Sequence, residues 1–446
     1  MSQAPQSISV AAARLPKIAH GQGVYLTDTT GKFYIDGSGG PAVYCLGHGH
    51  EEVNEAIKHQ LDRIAHGYRY NFTSDPLEEL TERVAAACGG DLKHMVFVSG
   101  GSEAVESCLK LALQYHAARG EPSRCRFISR ERSWHGNTLG ALALSGFRER
   151  RLSFEGALVE VPKLSPVNAY RPPQGVSPAE VAQVCAAELE AKILEMGAEN
   201  VAAFIFEPVV GAAGGVVPAP SSYARLVREI CSRHGVLMIA DEVMCGAGRC
   251  GTWRALAHDG VVPDIMPIAK GLAGGYMPLG AAVYSTKVAE PIFAVHGGPQ
   301  TGHTFTGHTA ACAAGAAVQR IVERDGLVAR VADKGEFLKF LLAEALGGVE
   351  AVGDIRGRGF FVGIELVADR ATKRPFPAEK TLYLKIRQHS LENGLICYPC
   401  NGNVDGIAGD TIILAPPYIA SDAELSEIVD LTARSVRQAL AEIGAA

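Results

Sequence analysis

Lys270 stands at a place where an amine can do chemistry. In "PDIMPIAKGLAGGYMPLGA" (263–281) mostly apolar residues lead into this one ammonium, and a loop with four glycines follows. Most lysines are exposed and take part in no reaction. One held at the end of a buried strand has its pKa lowered and becomes a base or nucleophile. Glycines beside it leave room for a ligand. Three acids occupy similar places. "GVLMIADEVMCGAGRCG" (235–251) sets Asp241 and Glu242 directly after five apolar residues, and Glu207 ends "FIFEP". Each is either a strand-end acid turned to solvent or a paired carboxylate, because burying a lone one is costly.

Two further turns offer complementary groups. In "FVSGGSEAVESCLKLAL" (97–113) Gly100 and Gly101 precede Ser102 and Glu103, where a helix opens. Unpaired N–H groups, a hydroxyl and close backbone approach suit a phosphate, although an ordinary Ser-capped helix reads the same way. In "ISRERSWHGNTLGA" (128–141) Trp134, His135 and Gly136 sit at a strand-to-helix junction. An indole there either packs in the core or covers a planar ligand.

The elements that must carry these turns alternate. A hairpin over 24–36 and helices over 51–65 and 76–88 come first, the latter capped by Ser74 ahead of Pro76. Apolar strands and helices follow: "HMVFV", helix 102–119, "RCRFIS", "VAAFIFEP", helix 221–234, "GVLMIADE" and "IMPIA". This pattern predicts an α/β fold with a mostly parallel sheet flanked by helices. After about residue 310 come the helical stretch "TAACAAGAAVQRIVERD" (309–325) and helices over 326–346 and 421–443 with the strands "GRGFFVGIELV" and "DTIILAPPYI", a smaller α+β unit. The expected division is an N-terminal segment, 1–55, packing with the small domain, then a large domain, 56–325, and a small C-terminal domain, 326–446. Ligands in such sheets bind beyond the carboxyl ends of the strands, where every turn above lies.

Composition narrows the classes. At 446 residues, 47% hydrophobic and 20% charged, the chain has the makings of a large core in more than one unit. A net charge of −6 and no basic-aromatic block argue against nucleic acid. Neither a signal-peptide pattern nor an 18-residue apolar run occurs, so no membrane is expected. Eleven scattered cysteines favour a reducing compartment, the cytoplasm. "GAGRCG" (246–251) matches a dinucleotide fingerprint only in its letters, since acids separate it from the strand and no clean helix follows. Cys397 and Cys400 lack the second pair or histidines that a metal would want.

A phosphate-ready helix start, an indole, an aspartate for a ring nitrogen and a lysine among glycines together make the set that pyridoxal 5′-phosphate needs. At this point the chain resembles the class III (ω-amino acid/amine) aminotransferases of the fold type I, aspartate-aminotransferase-like group. "SGGSEA", "WHG", "EPVVG", "ADEVMCGAGRCGT", "PDIMPIAKGLAGGYMPLGA", "GHTFTGHTAACAA" and "LAPPYI" stand in that family's order.

The resemblance implies Lys270 as Schiff-base lysine and proton shuttle, with Asp241 as partner of the pyridinium nitrogen. Val243 becomes the apolar wall beneath the ring, Trp134 the stacking aromatic with His135 beside it, and Gly101 with Ser102 the phosphate loop. Thr304 would reach the phosphate of a partner subunit, making the enzyme a homodimer, with Glu207 and Arg249 supporting nearby. The activity implied is transfer of an amino group from an amine or ω-amino acid to a keto acid such as pyruvate or 2-oxoglutarate. Ammonia- or phospho-lyase, decarboxylase and aminomutase chemistry share the scaffold, and a non-enzymatic regulator is disfavoured because the catalytic positions are filled.

Some positions depart from the family. Ile413 replaces an arginine that often binds an α-carboxylate, Ala212 replaces a glutamate, Thr309 replaces a proline, and the loop 400–410 holds no arginine. A substrate carboxylate must then find another residue, with Arg69 and Arg14 as candidates, or one substrate lacks that group.

Overall fold

The computed structural model describes residues 15–445. Its central sheet has seven strands, in the order Leu92–Val98, Gly280–Ser285, Ile265–Ile268, Leu237–Ala240, Val201–Phe206, Arg126–Arg130, Lys163–Leu164. Gly280–Ser285 is antiparallel to both neighbours. The other adjacent pairs are parallel. The mostly parallel α/β sheet expected from the sequence is therefore present, with a reversed strand that the glycine-rich text around it concealed.

Val201–Phe206 shows why these strands read as unbroken apolar text. All six of its residues are buried. Phe204 and Phe206 pack into a core with Leu189 and Ile193 of the helix Val181–Met196 and Val227 of the helix Tyr223–His234. Ala203 and Ile205 point the other way, into a core with Val105 and Leu111 of the helix Gly101–Ala118. Strand periodicity sends alternate side chains to opposite faces, and both faces are covered. Burying each phenylalanine contributes about 1.5–3 kcal/mol.

The expected helices appear as Glu51–Arg63, Asp75–Cys88, Gly101–Ala118, Tyr223–His234, Thr309–Arg324, Leu327–Leu346 and Asp422–Glu442. The last opens with a capping box, in which Ser421 and Glu424 satisfy each other's backbone N–H. One local expectation fails. Ser74 precedes Asp75–Cys88 but makes no side-chain capping bond, so Pro76 and the first-turn acids Asp75 and Glu78 start that helix without it. The helices Val181–Met196, Thr286–His296 and Leu382–Glu392 went unread, the second because Pro291 lies inside it.

A second sheet, Val352–Arg358, Phe361–Leu366, Asp410–Leu414, Tyr398–Asn401 in that order, is antiparallel throughout. Near the N-terminus, Ile18–Gln22, Tyr25–Asp28 and Phe33–Asp36 form a meander. Leu395–Ile396 joins it as a parallel fourth strand. Val24 and Ile35 share a core with Leu338, Ile364 and Leu425 from the C-terminal part. No helix among the described residues is long and apolar enough to cross a membrane.

Candidate active site

The carboxyl ends of the parallel strands surround a cavity of about 480 Å³. Lys270 lies on its wall, two residues beyond the fully buried strand Ile265–Ile268. Its φ of +48° is left-handed, a region costly for a residue with a Cβ. Such strain costs about 1–3 kcal/mol and persists only where neighbours enforce it. Burial pushes the Lys270 amine below the usual lysine range, and the carboxylates of Asp241 and Glu207 hold it part of the way up.

Asp241 is 3% exposed and also faces the cavity. Its Oδ2 lies 2.7 Å from His135 Nδ1, and its Oδ1 accepts from the Val243 backbone N–H at 3.0 Å. The His135 backbone N–H donates to Ser145 Oγ at 2.8 Å, while His135 Nε2 is buried without a protein partner. A carboxylate on Nδ1 fixes the tautomer with its proton there. Glu207 carries a different load. It accepts from the backbone N–H groups of Trp134 and Gly211, both at 2.9 Å, and its own carbonyl accepts from buried Arg130 at 2.7 Å. Burial raises its pKa, opposed first by His135. Glu207 thus ties the Trp134 turn to its own.

Gly101 opens the 18-residue helix Gly101–Ala118 at the cavity. A Cβ on it would stand 2.9 Å from Val243 Cγ1, so only glycine allows this approach. Ser102 Oγ accepts from the Asn137 N–H at 2.9 Å, keeping its hydroxyl proton free to donate. Gly136, at φ +140°, has no space either, since a Cβ would meet Ser102 Oγ at 2.7 Å. Trp134 and Val243 both line the cavity, and Trp134 is braced edge-on by Phe147 at 5.9 Å.

Other expected residues lie elsewhere. Thr304 is exposed, in a turn outside the cavity. Its neighbours Phe305 and His308 line an adjacent recess of about 240 Å³ that shares Ser99, Met277, Pro278 and Leu279 with the main cavity. Arg249 does not line the cavity. Its guanidinium donates to the carbonyls of Pro416 (2.6 Å), Phe360 (3.3 Å) and Tyr44 (3.3 Å) and lies over the Tyr418 ring, pinning three distant segments together. Glu242 turns away from Asp241 and accepts from Ala255 and Leu256 N–H. Cys397 Sγ donates to Ser390 Oγ, whereas Cys400 Sγ faces the carbonyls of Ala212 and Thr411.

The remaining wall is largely apolar, with Pro41, Val43, Ala212, Met244, Met277 and Tyr398. Most of these carry no chemical signal in sequence, and Tyr398 comes from a strand of the other sheet. Lys270 is the one lysine or arginine among the lining residues. Ile413 is fully buried in its strand and stays out of the cavity, as does Arg69, which packs on Gly302. Arg14 lies outside the described residues. Thr309 begins its helix and accepts from the Gly67 N–H at 3.0 Å.

The family model "Aminotransferase class-III" matches residues 9–436. The chain belongs to the class III aminotransferases. Among curated relatives of this aminotransferase, the uncharacterized aminotransferase YodT of Bacillus subtilis is 39% identical over 421 residues, 94% of this chain and 95% of that protein. A putrescine–pyruvate aminotransferase of Pseudomonas aeruginosa is 32% identical over 96% of this chain and 91% of its own length. Among solved structures, a PLP-bound amine transaminase from an uncultivated Pseudomonas species superposes with a TM-score of 0.89 at 32% identity, covering 99% of this chain and 98% of that one. An (S)-enantioselective omega-transaminase from Thermomicrobium roseum has the same score and identity over 98% and 96%.

The aminotransferase depends on pyridoxal 5′-phosphate, as its family does. The residues present fit that group. The cavity joins a buried carboxylate, an amine with a lowered pKa, and a helix start that only glycine keeps open.

Proposed function

We propose that this transaminase uses Lys270 as its cofactor-bonding lysine and proton carrier, and Asp241 as the counter-charge for the cofactor's ring nitrogen. One observation carries the reading: a strained lysine and a buried aspartate share the cavity of about 480 Å³ at the carboxyl ends of the parallel strands. Gly101 and Ser102 hold the phosphate, while Trp134 and Val243 bound the ring. His135, bonded to Asp241, keeps the carboxylate aimed. Glu207 secures the turn behind them.

Pyridoxal phosphate, once bound, supplies an electron-accepting ring that stabilises negative charge on the substrate's amine-bearing carbon. The protein does the rest. Lys270 Nζ would bond the cofactor in the resting enzyme and, once freed and held close to the substrate, would act as the base that removes the proton from that carbon. Its lowered pKa leaves it unprotonated for this task more often than a solvated lysine. The same nitrogen would then hand that proton on to the cofactor side rather than back to the substrate carbon, so that the substrate can leave as a carbonyl compound. Asp241 keeps its negative charge throughout, and the apolar wall of Val43, Met244 and Met277 limits water.

The donor is read as an amine or ω-amino acid. An apolar wall without arginine supports this, since such a donor carries no carboxylate beside its amine, while the acceptor's carboxylate must meet a residue outside this lining. The acceptor is a keto acid such as pyruvate or 2-oxoglutarate. The exposed Thr304, next to exposed Phe305 on the flank of the cavity, supports a homodimer in which Thr304 completes the partner's phosphate site. Eleven unpaired cysteines support a cytoplasmic home. The test is chemical: borohydride reduction of the protein loaded with pyridoxal phosphate, followed by peptide mapping. A pyridoxyl group on Lys270 is expected. Labelling confined to other lysines would overturn the assignment.

A further inference from the structure

The turn that carries Lys270 has few bonds of its own. Ala273 and Gly274 N–H donate to the Lys270 carbonyl at 3.2 and 3.0 Å, and Leu272 N–H donates to Ala269 at 3.0 Å. A left-handed lysine on so short a turn relaxes unless something outside holds it. The next two carbonyls, of Gly271 and Leu272, meet a single side chain. Gln319, 5% exposed on the helix Thr309–Arg324, donates from Nε2 to Gly271 O at 3.1 Å and to Leu272 O at 3.0 Å. Its Oε1 accepts from Trp253 Nε1 at 2.9 Å. The indole N–H is a donor only, so it fixes which way round the amide lies. A flipped amide would set NH₂ against N–H and an oxygen against two carbonyls. Gly271 O also accepts from Cys45 Sγ at 3.6 Å.

We infer that Trp253 and Gln319 form a positioning pair that clamps the Lys270 turn in its strained conformation and so aims the amine. Neither residue lines the cavity, so the pair acts through the backbone of Gly271 and Leu272. The inference rests on the catalytic reading of Lys270. It deepens that reading by naming what keeps the lysine in place when its amine is free of the cofactor. A free amine on an unclamped turn would swing towards solvent and regain an ordinary pKa. A clamped one stays buried and basic beside the carbon it must deprotonate.

Gln319→Met keeps the length of the side chain but removes both donors. Trp253→Phe keeps a ring and removes only the N–H that orients the amide. In the cofactor-free protein, hydrogen exchange at the Ala273 and Gly274 amides should quicken by about tenfold in Gln319→Met, because local opening sets that rate. In the loaded enzyme kcat should fall by about tenfold or more with KM little changed, since a reacting group misplaced by about 1 Å costs up to ~10²-fold. The acid limb of the kcat–pH profile should move upward as Lys270 regains solvent. Trp253→Phe should shift the same readouts in the same direction by less, and it serves if Gln319→Met does not fold.

A folded variant with a lowered melting temperature but unchanged exchange at these amides and an unmoved acid limb would make the pair mere filling and overturn the inference. Faster exchange, combined with borohydride labelling at a lysine other than Lys270, would uphold the clamp and sink only the catalytic role of Lys270.

Discussion

Asp241→Asn separates chemistry from architecture at this site. The amide keeps the shape: its oxygen can still accept from the Val243 N–H or from His135 Nδ1, which now stand 3.0 and 2.7 Å from the two carboxylate oxygens. What it loses is the charge. A charge-assisted bond contributes about 1.5–3 kcal/mol and a neutral one about 0.5–1.5, so the fold should weaken by only about 1 kcal/mol. The reaction should suffer far more. Asp241 is 3% exposed, and removing one member of a buried ion pair costs about 3–5 kcal/mol. At 1.36 kcal/mol per factor of ten, the proton-removal step should slow by roughly 10²- to nearly 10⁴-fold. Cofactor affinity should fall much less, because the Gly101–Ser102 contacts survive and a ring nitrogen facing an amide can shed its proton. The assay is a single-turnover mixing experiment with an accepted amine, followed through the cofactor's visible absorbance, alongside equilibrium dialysis of pyridoxal phosphate. A variant whose single-turnover rate stays within about fivefold of wild type would refute the reasoning, because electrostatic stabilisation in a buried site is worth more than that. Asp241 would then be a strand-end acid that merely orients His135.

Other changes probe the remaining parts. Lys270→Ala should lose at least about 10³-fold in turnover, since one residue supplies both covalent and acid–base catalysis; retention of a tenth of the activity would dismiss it. Because burial holds folded Lys270 below its unfolded value, the unfolded chain binds that proton more tightly. The stability of the cofactor-free protein should therefore rise with pH between the two values, a slope that Lys270→Met removes in chemical denaturation at several pH values. Gly136→Ala would strain a φ of +140° and press a Cβ to 2.7 Å from Ser102 Oγ. It should cost about 1–3 kcal/mol of stability and weaken cofactor binding, and wild-type values for both would contradict the crowding. Thr304→Ala subunits paired with Lys270→Ala subunits should bind cofactor normally at the Lys270-intact site if Thr304 serves its partner; weakened binding there would return Thr304 to its own chain.

Much of this arrangement was legible because a buried parallel strand announces its own end. Val201–Phe206, Leu237–Ala240 and Ile265–Ile268 read as solid apolar text, and the polar residue that breaks each run, Glu207, Asp241 or Lys270, stands where ligands bind. Contacts made through side chains far apart in sequence were not legible. Nothing in "WHG" says that His135 will meet Asp241, 106 residues later, because strand order in the sheet is not written in either segment. The contacts of Arg249 were hidden for a related reason. Its partners are the carbonyls of Tyr44, Phe360 and Pro416, and a carbonyl has no residue type to recognise. Gln319 escaped notice in the same way, its amide spent on two carbonyls and an indole.

The departures at Ile413 and Ala212 gain a physical meaning from the cavity. Ile413 is sealed in a core cluster with Ala212, Cys400 and Phe361, and partly buried Met244 and Tyr398 pack on it. Ala212, Met244 and Tyr398 also face the cavity, so one apolar cluster backs its wall. An arginine at 413 would have to enter that cluster and leave a guanidinium uncompensated, a burial that costs several kcal/mol unless paired. An ω-amino acid could therefore bind with its amine near Lys270 only if its distant carboxylate reaches past this wall. Arg150 is a candidate beyond it. This exposed guanidinium lies 5.8 Å from the centre of the Phe147 ring that braces Trp134, and it opposes the rise that burial gives the Tyr398 phenol. If Arg150 meets that carboxylate, Arg150→Gln should raise KM for ω-amino acids by up to about fivefold, the worth of one exposed charged contact of about 1 kcal/mol. KM for uncharged primary amines should not move. Equal effects on both donor classes would show that Arg150 shapes the loop rather than reads the substrate, and would leave the apolar wall as the sole determinant of the donor.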